Sequence, residues 1–506
     1  MTSRRAMIAV PFGAELSSCG YCKAKDAETA SAGPSRRSED HGPEAMVVVE
    51  EELASAGGVL DGHGDDGDDV DDGNGGNGGN DGNSGGNGGN DGDVVNGNDG
   101  QSDDGDEGEG ESKRMQDGMW PVTCEAEDYQ ELIDRGWRRS GYYCYRPHVT
   151  PDVCCKLYTI RARAADVFAT RSQRKKMARF VRGVAGPARP GGAENEEEEE
   201  EEEEVWPPPP ARAACPSRPR ALAAAGLRLE FVLSRDGEVH GPTHALYRKY
   251  QMAVHGSKEN EVSEAAFERF LVSSPIRSDA ESSHPGFAAL CAAWPPPYLS
   301  FCTTPPTGYG SYHMRWWLGE ELIAVSVLDV LPACLSSVYF FYDPDQAHLS
   351  LGVVSAEVEI LLTAALSAHL PSLKYYYLGY YVDSCPKMQY KGEYKPFELL
   401  CPATLTWVGS EAALPVVKAA EAGESSSEAG EPIRLAADGV ASDDPLELMA
   451  LPAKVVASQV FSRYVLGRAS ARYEDLSVAL RAALAAEAES GELSEAELAT
   501  IDECLR

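Results

Sequence analysis

Two tracts of low complexity decide which parts of this chain can fold. Between Asp61 and Glu111 there are 17 acidic residues and no Lys or Arg, and the octet GGNGGNDG occurs twice, ten residues apart. Glu194 and the run Glu196–Glu204 add 10 more carboxylates just before Pro207–Pro210. Such sequence has too few apolar side chains to offset the entropy of ordering it, so both tracts are expected to be disordered, acidic insertions. The octet is too short and polar for a solenoid unit, and its Asp residues lack the spacing of a calcium loop.

The net charge of −36 would ordinarily argue against a nucleic-acid partner. These tracts hold 27 of the negative charges, which leaves −9 for the rest of the 506 residues. The foldable parts are therefore only mildly acidic, and a local basic face remains free to bind RNA. One such island is RGWRRSGYYCYRPHVTPDVCCKLYTIR, from Arg135 to Arg161, which interleaves Arg138, Arg139, Arg146 and Lys156 with Trp137, Tyr142, Tyr143 and Tyr145. Guanidinium groups neutralise phosphate while aromatic faces stack on unpaired bases, so the mixture suits RNA or another polyanion. A surface sheet with ordinary cation–π pairs is the alternative.

A hydrophobic content of 42% is enough for two or three domains with substantial cores. The 13 cysteines are an odd number, and the N-terminus lacks a secretory-signal pattern. This combination predicts a reducing compartment, cytoplasmic or nuclear, in which paired cysteines favour metal or redox chemistry. The apolar stretch Leu322–Phe341 is interrupted by Asp329 and Pro332, so it reads as core strands, and no membrane partner is expected.

Periodicity gives a mixed α/β (α+β) chain. EAEDYQELIDRGW and the basic VFATRSQRKKMARFVRG read as helices; RLEFVLS, ELIAVSVLDVLP, SSVYFFYDP and KYYYLGYYV read as strands. PTHALYRKYQMAVHG is a helix expected to end near Gly256, SEAAFERFLV a helix capped by Ser263, and SAEVEILLTAALSAHL a helix capped by Ser355. The organisation expected is a split N-terminal cysteine domain (1–25 and 118–183) around an insertion (26–117), and a linker (184–222). A C-terminal domain (223–408), a loose linker (409–444) and a helical tail (445–506) follow.

Four blocks together resemble the arginyl-tRNA-protein transferases: CGYC at Cys19–Cys22; RGWRRSG through CCKLYTIR; GSYHMRWW with LIAVSVLDVLP and SSVYFFYDP; and YYVDSCPKMQYKGEYKPFELLCP. With the segments between them, they span nearly all of the foldable chain. The resemblance implies transfer of arginine from Arg-tRNA to the free α-amine of proteins beginning with Asp, Glu or oxidised Cys, marking them for ubiquitin-dependent degradation. It also implies a C-terminal acyltransferase fold like that of the acetyl-CoA-dependent N-acetyltransferases. The partners expected are Arg-tRNA and proteins with acidic N-termini, without DNA. The chain departs from the family at GVVSAEVEI around Ser355, where the family more usually has an aromatic residue before the Ser and a basic residue before the final acidic-apolar pair.

Cys19 and Cys22 form a two-residue-spaced hook, and Cys154 with Cys155 could complete a four-thiolate site, although adjacent cysteines are a less usual chelating pair. The resemblance implies zinc or an iron–sulfur cluster at these cysteines, and four thiolates suit either. A buried apolar Cys155 beside a free Cys154, or a reactive pair without metal, are the other readings.

Aminoacyl-tRNA is an activated ester, so attack by an amine needs positioning, proton removal and oxyanion stabilisation but no covalent enzyme intermediate. Asp329 and Asp343, at the ends of successive apolar strands, are the candidates for binding the arginine guanidinium, with strand-end turns as the alternative. His313, with Tyr312 or Tyr342, is the candidate for the amine proton; a structural histidine is the alternative. Lys387, Lys391, Lys395, Arg138 and Arg139 are candidates for an acidic N-terminus, and Arg174, Lys175, Lys176 and Arg179 for tRNA phosphates, against a merely solvated helix face. An acetyl-CoA N-acetyltransferase and a non-enzymatic metal-binding adaptor are the rival functions. Ser350-Leu351-Gly352 lacks the repeated glycines of a pyrophosphate loop, which disfavours the former.

Overall fold

The computed structural model describes residues 8–18, 113–185, 217–236, 240–278, 284–435 and 456–457. In chain order these give strands β1 (Ile8–Ser18) and β2 (Lys113–Thr123), helix α1 (Ala126–Ile133), and strands β3 (Arg138–Ser140), β4 (Tyr143–Pro147) and β5 (Tyr158–Arg163). Helices α2 (Arg171–Ala185) and α3 (Ser217–Ala224), strand β6 (Leu227–Leu233), and helices α4 (His240–Tyr250), α5 (Glu264–Phe267) and α6 (Pro285–Ala293) follow. Next come strands β7 (Cys302–Thr304), β8 (Gly310–Leu318), β9 (Glu321–Val330) and β10 (Cys334–Tyr342). The last long crossover, helix α7 (Leu351–Ser367), leads to β11 (Tyr375–Tyr381), helix α8 (Pro386–Gln389), β12 (Phe397–Leu400), β13 (Trp407–Gly409) and helix α9 (Ser410–Glu421).

A small sheet has the order β1-β2-β4-β3, with Val456–Ala457 added in parallel to β1. The large sheet has nine strands in the order β13-β12-β5-β11-β10-β9-β8-β6-β7. Strand β5 comes from the stretch assigned by sequence to the N-terminal domain, yet it lies between β12 and β11 of the large sheet. Strands β8, β9 and β10 form an antiparallel run, with β9 buried from Ile323 to Val330 on both faces. That two-sided burial explains why β9 reads as an unbroken apolar run instead of an alternating one. Helix α7 is buried at 14 of its positions, which fits a helix apolar all round.

Several expected boundaries move. Strand β2 starts at Lys113 inside the span given to the insertion, and α2 and α3 extend into the span given to the linker. Helix α9 occupies sequence expected to be loose. Both acidic tracts, and the tail except Val456–Ala457, lie outside the described residues. No described helix is long and apolar enough to cross a membrane.

Candidate active site

Strands β10 and β11 run parallel, pairing Cys334–Ser336 with Tyr375–Tyr377, and α7 is the connection between them. In open α/β sheets, ligands bind beyond the carboxyl ends of such strands, where the start of the crossover helix presents free N–H groups. Here α7 starts after Ser350, which adopts a left-handed conformation (φ 54°) and makes no side-chain cap. Ser355, the cap expected from sequence, is instead inside the helix, and its hydroxyl donates to the Gly352 carbonyl at 3.0 Å. The 3₁₀ turn Pro344–Leu349 delivers the chain to α7 early, so Ser355 is already within the helix.

At this edge lies a cavity of ≈560 Å³ lined by Arg171, Lys175, Lys176 and Arg179 of α2, Val353 of α7, and Tyr390, Glu393 and Tyr394. Helix α2 presents the cations because its apolar residues fall on the other face: Met177, Ala178, Phe180 and Val181 are buried at helical spacing. Its start is fixed by a reciprocal cap. Thr170 Oγ1 accepts from the Gln173 backbone N–H at 3.2 Å, and Gln173 Oε1 accepts from the Thr170 N–H at 2.7 Å. With four cations against the single Glu393 carboxylate, the lining favours a polyanion.

Beneath the cavity, α7 carries two buried carboxyl groups, Glu357 and Glu359. Tyr376 donates its hydroxyl to Glu359 Oε2 at 2.7 Å. Burial pushes the Glu359 carboxyl up to about 7, against hydrogen bonds from Tyr376, Ser326 and Ser337 that pull it down. Tyr394 is fully buried, and burial, with Glu357 second, raises its hydroxyl well above the ordinary range.

The residues singled out by sequence fall into three groups. Lys175, Lys176 and Arg179 line the cavity; Arg174 is turned aside, with Nη1 donating to the Ala169 carbonyl at 3.1 Å. Lys387 is half-buried and Lys395 exposed, whereas buried Lys391 donates to the Tyr380 carbonyl at 3.0 Å.

The second group is held inside the protein. Asp329 is fully buried and meets Arg139 through two bonds, Nε to Oδ2 at 2.8 Å and Nη2 to Oδ1 at 2.7 Å, while Ser311 donates to Oδ1 at 2.7 Å. Burial would lower the Arg139 guanidinium, but Asp329 holds it above its ordinary range. Thus a carboxylate expected to grip an incoming guanidinium and an arginine expected to face an acidic peptide are bound to each other. Buried Arg138 donates to the carbonyls of Trp137 (2.7 Å), Gly379 (3.2 Å) and Ile133 (3.3 Å), and lies over the Tyr380 and Tyr377 rings. Asp343 caps the Pro344–Leu349 turn and pairs with Lys249 at 2.6 Å. Its placement follows the strand-end alternative.

His313 is also wholly buried, and its Nε2 lies 3.0 Å from the Leu271 carbonyl, which can only accept. Burial pushes this ring down to about 4, so it is neutral at physiological pH. Tyr312 donates its hydroxyl to the Gly308 carbonyl at 2.9 Å. Tyr342 is buried at the end of β10, tilted against Tyr250 with ring centroids 5.2 Å apart. Of these three, only Tyr342 stands at the carboxyl end of β10. Sequence reading passed over Arg171, Glu393 and the buried pair Glu357 and Glu359. Arg171 belongs to the same basic helix and was within reach of the charge pattern; the acids lie in sequence that gives no charge signal of its own.

Cys155 is buried with Leu157, Tyr380, Val382, Cys385 and Met388, and half-buried Cys154 packs against that cluster. Among the described residues, no group of three or more His, Cys, Asp or Glu side chains could hold a metal ion. Cys19 and Cys22 lie outside the described residues, so half of the expected donor set has no described position.

Two family models match: "Arginine-tRNA-protein transferase, C terminus" over residues 243–401, and "Arginine-tRNA-protein transferase, N terminus" over residues 99–175. "Arginyl-tRNA--protein transferase 1" of Drosophila melanogaster is 29% identical over 402 residues, covering 59% of this chain and 78% of the relative. The Arabidopsis thaliana protein of the same name is 45% identical over 174 residues, covering 34% of this chain and 25% of the relative. "Aspartate/glutamate leucyltransferase" of Shewanella putrefaciens is 42% identical over 86 residues, covering 17% of this chain and 34% of the relative. The chain thus spans most of the fly relative, a quarter of the plant one and about a third of the bacterial one. The two matched segments contain the basic helix start, the crossover helix and the cavity wall that closes on it. The chain is thus similar to the arginine-tRNA-protein transferases in both of the segments that their family models describe, in the same order.

Proposed function

We propose that the protein transfers arginine from Arg-tRNA to the free α-amine of proteins whose first residue is acidic. The observation that carries this reading is the four-cation cavity at the start of α7. Its lining suits the phosphates next to the aminoacylated end of a tRNA, and the edge on which it opens is where an acyl donor is expected in this kind of sheet. The bacterial relative's name contains aspartate and glutamate, which supports acidic acceptors here.

The chemistry is aminolysis. The α-amine nitrogen attacks the ester carbonyl, the C–N bond forms, the C–O bond to the ribose breaks, and the amine proton ends on the ribose oxygen. In this reading Arg171, Lys175, Lys176 and Arg179 hold the tRNA end, and Lys387 with Lys395 attracts the acidic residue. Arg139 and Asp329 act at a distance, by fixing β3 to β8 and β9.

Cys19, Cys22, Cys154 and Cys155 are proposed as the ligands of a structural zinc ion or an iron–sulfur cluster. The support is register: Ser18 at the end of β1 pairs with Lys113, and His148, just after β4, bonds to Met115 on the same strand. The chain leading to Cys19 and the chain leading to Cys154 therefore leave the small sheet from neighbouring positions. Action in the cytoplasm or nucleus, and marking of products for ubiquitin-dependent degradation, belong to the same proposal.

The test is transfer of radiolabelled arginine from Arg-tRNA to a peptide beginning with Asp, beside peptides beginning with Ala or acetylated Asp. Labelling of the free Asp peptide alone is the expected result. No labelling by folded protein, or acetylation of the peptide from acetyl-CoA, would overturn the assignment.

A further inference from the structure

Helix α4 does not end as an ordinary α-helix. Its last turn, Gln251–His255, is π-helical and closes on Gly256, whose left-handed conformation (φ 68°) suits glycine. Single π turns inside α-helices often mark functional sites, since they re-aim a side chain. This one is pinned to β10. Gln251 Nε2 donates to the Tyr339 hydroxyl at 2.6 Å, and Tyr250 packs on Tyr342 at the strand's carboxyl end. The turn thereby sets His255 against Tyr250, with ring centroids 5.3 Å apart, and through Tyr250 connects it to the carboxyl end of β10.

His255 has two further properties. Its Nε2 is buried and has no hydrogen-bond partner, a condition that calls for an explanation in a native protein. Burial, and next the nearby Lys387 ammonium, push the ring down to about 4, so it is neutral and able to accept a proton. His313 has a similarly lowered ring, but it is sealed under the sheet and occupied by the Leu271 carbonyl. His255 is half-buried as a residue, with only its Nε2 enclosed and unpaired, and half-buried Lys387 is near enough for its charge to act on the ring.

We propose that His255 is the proton acceptor of the transfer step, and that Lys387 couples it to acidic acceptors. This inference rests on the arginine-transfer reading. In a peptide beginning with Asp, the side-chain carboxylate and the α-amine belong to one residue, so a carboxylate on Lys387 brings the amine to the imidazole. Binding of that carboxylate also offsets the ammonium charge that opposes protonation of the ring. The base is weakest with no acceptor present and strengthens when an acidic one arrives. During transfer the amine proton passes to Nε2 as the C–N bond forms, then to the ribose oxygen as the C–O bond breaks, and the imidazole ends neutral. Acid selectivity therefore resides in the rate of transfer as well as in binding.

The experiment is arginine transfer over a series of Arg-tRNA concentrations up to saturation by the full chain and its His255→Gln, His255→Ala and Lys387→Met variants, using peptides beginning with Asp or Ala. Proton transfer of this kind is worth about 10²–10⁴-fold, so His255→Gln is expected to lose about 100-fold or more with an unchanged KM for Arg-tRNA. Added imidazole is expected to recover part of the His255→Ala loss while leaving the unmodified chain unaffected. Lys387→Met is expected to narrow the ratio of Asp to Ala rates. Should His255→Ala fail to fold, His255→Asn takes its place in the imidazole arm. A His255→Gln rate within about threefold of the unmodified chain, a loss confined to KM for Arg-tRNA, or no response to imidazole overturns the assignment. An inactive unmodified chain overturns the arginine-transfer reading and this inference with it, whereas an active one with an equally active variant overturns the inference alone.

Discussion

Arg139 and Asp329 show how a buried charge dictates its surroundings. Both are almost fully enclosed, and the two oxygens of Asp329 are taken by the Arg139 fork and Ser311. Removing one partner leaves the other charged and unsolvated, so Asp329→Asn is expected to cost about 3–5 kcal/mol in urea unfolding. Arg139→Met combined with Asp329→Leu should cost much less than the sum of the single changes, because neither leaves an orphan charge. Glu359 gives a second prediction. Its carboxyl is raised from the usual 4.5 to about 7 in the folded protein, so the folded state keeps a proton that the unfolded state releases. That contribution is complete below pH ~4.5 and is lost as pH rises through about 7. Relative to Glu359→Gln, the unmodified protein should lose stability over that window by up to about 3 kcal/mol, measured by denaturant titration at each pH. Sequence indicated that a carboxylate ending an apolar strand would want a guanidinium. It could not say that the guanidinium lies 190 residues upstream in the same chain.

Among the elements, α2 links sequence pattern to the site most directly. Its Thr170–Gln173 cap sets where the helix starts, and hence which turn carries Arg171 and Lys175 to the cavity. Thr170→Ala should lower stability by about 1 kcal/mol on thermal unfolding. Lys175→Glu with Arg179→Glu should leave stability nearly unchanged yet weaken Arg-tRNA binding. Each lost phosphate contact should flatten the plot of log affinity against log salt by about 0.7. A slope equal to that of the unmodified protein would mean that this face is only solvated. Helices and strands of this sort were legible because their signals are local: the Ser263 cap, with Oγ accepting from the Ala266 N–H at 3.3 Å, and the stop at Gly256 both stand where the residues point. The π turns after α4 (Gln251–His255) and α5 (Glu268–Val272) were not legible, since the same residues would continue an α-helix, and only packing on β10 and His313 distinguishes the two. The place of β5 in the large sheet was equally hidden. Its neighbours come from Tyr375–Tyr381 and Phe397–Leu399, and strand pairing across such distances leaves no periodic mark.

At the scale of the whole molecule, the acidic tracts and the cationic cavity pull in opposite directions. The tracts contain 27 carboxylates in two blocks, one just before β2 and one after α2 in sequence. A charged segment tethered to the same chain acts at an effective concentration of order millimolar, enough to compete with a ligand that binds through phosphates. Such competition is electrostatic, so it should be strong at low salt and vanish as the screening length falls from about 10 Å at 0.1 M to about 3 Å at 1 M. Deleting residues 61–111 together with 194–204 is therefore expected to tighten Arg-tRNA binding at low salt, steepen its salt dependence, and leave affinity at high salt unchanged. Filter binding across a salt series would measure all three. If the deletion changes neither affinity nor slope, the tracts do not act on tRNA through their charge. If it tightens binding equally at every salt concentration, they obstruct the site sterically, and the cavity's selectivity for polyanions is independent of them.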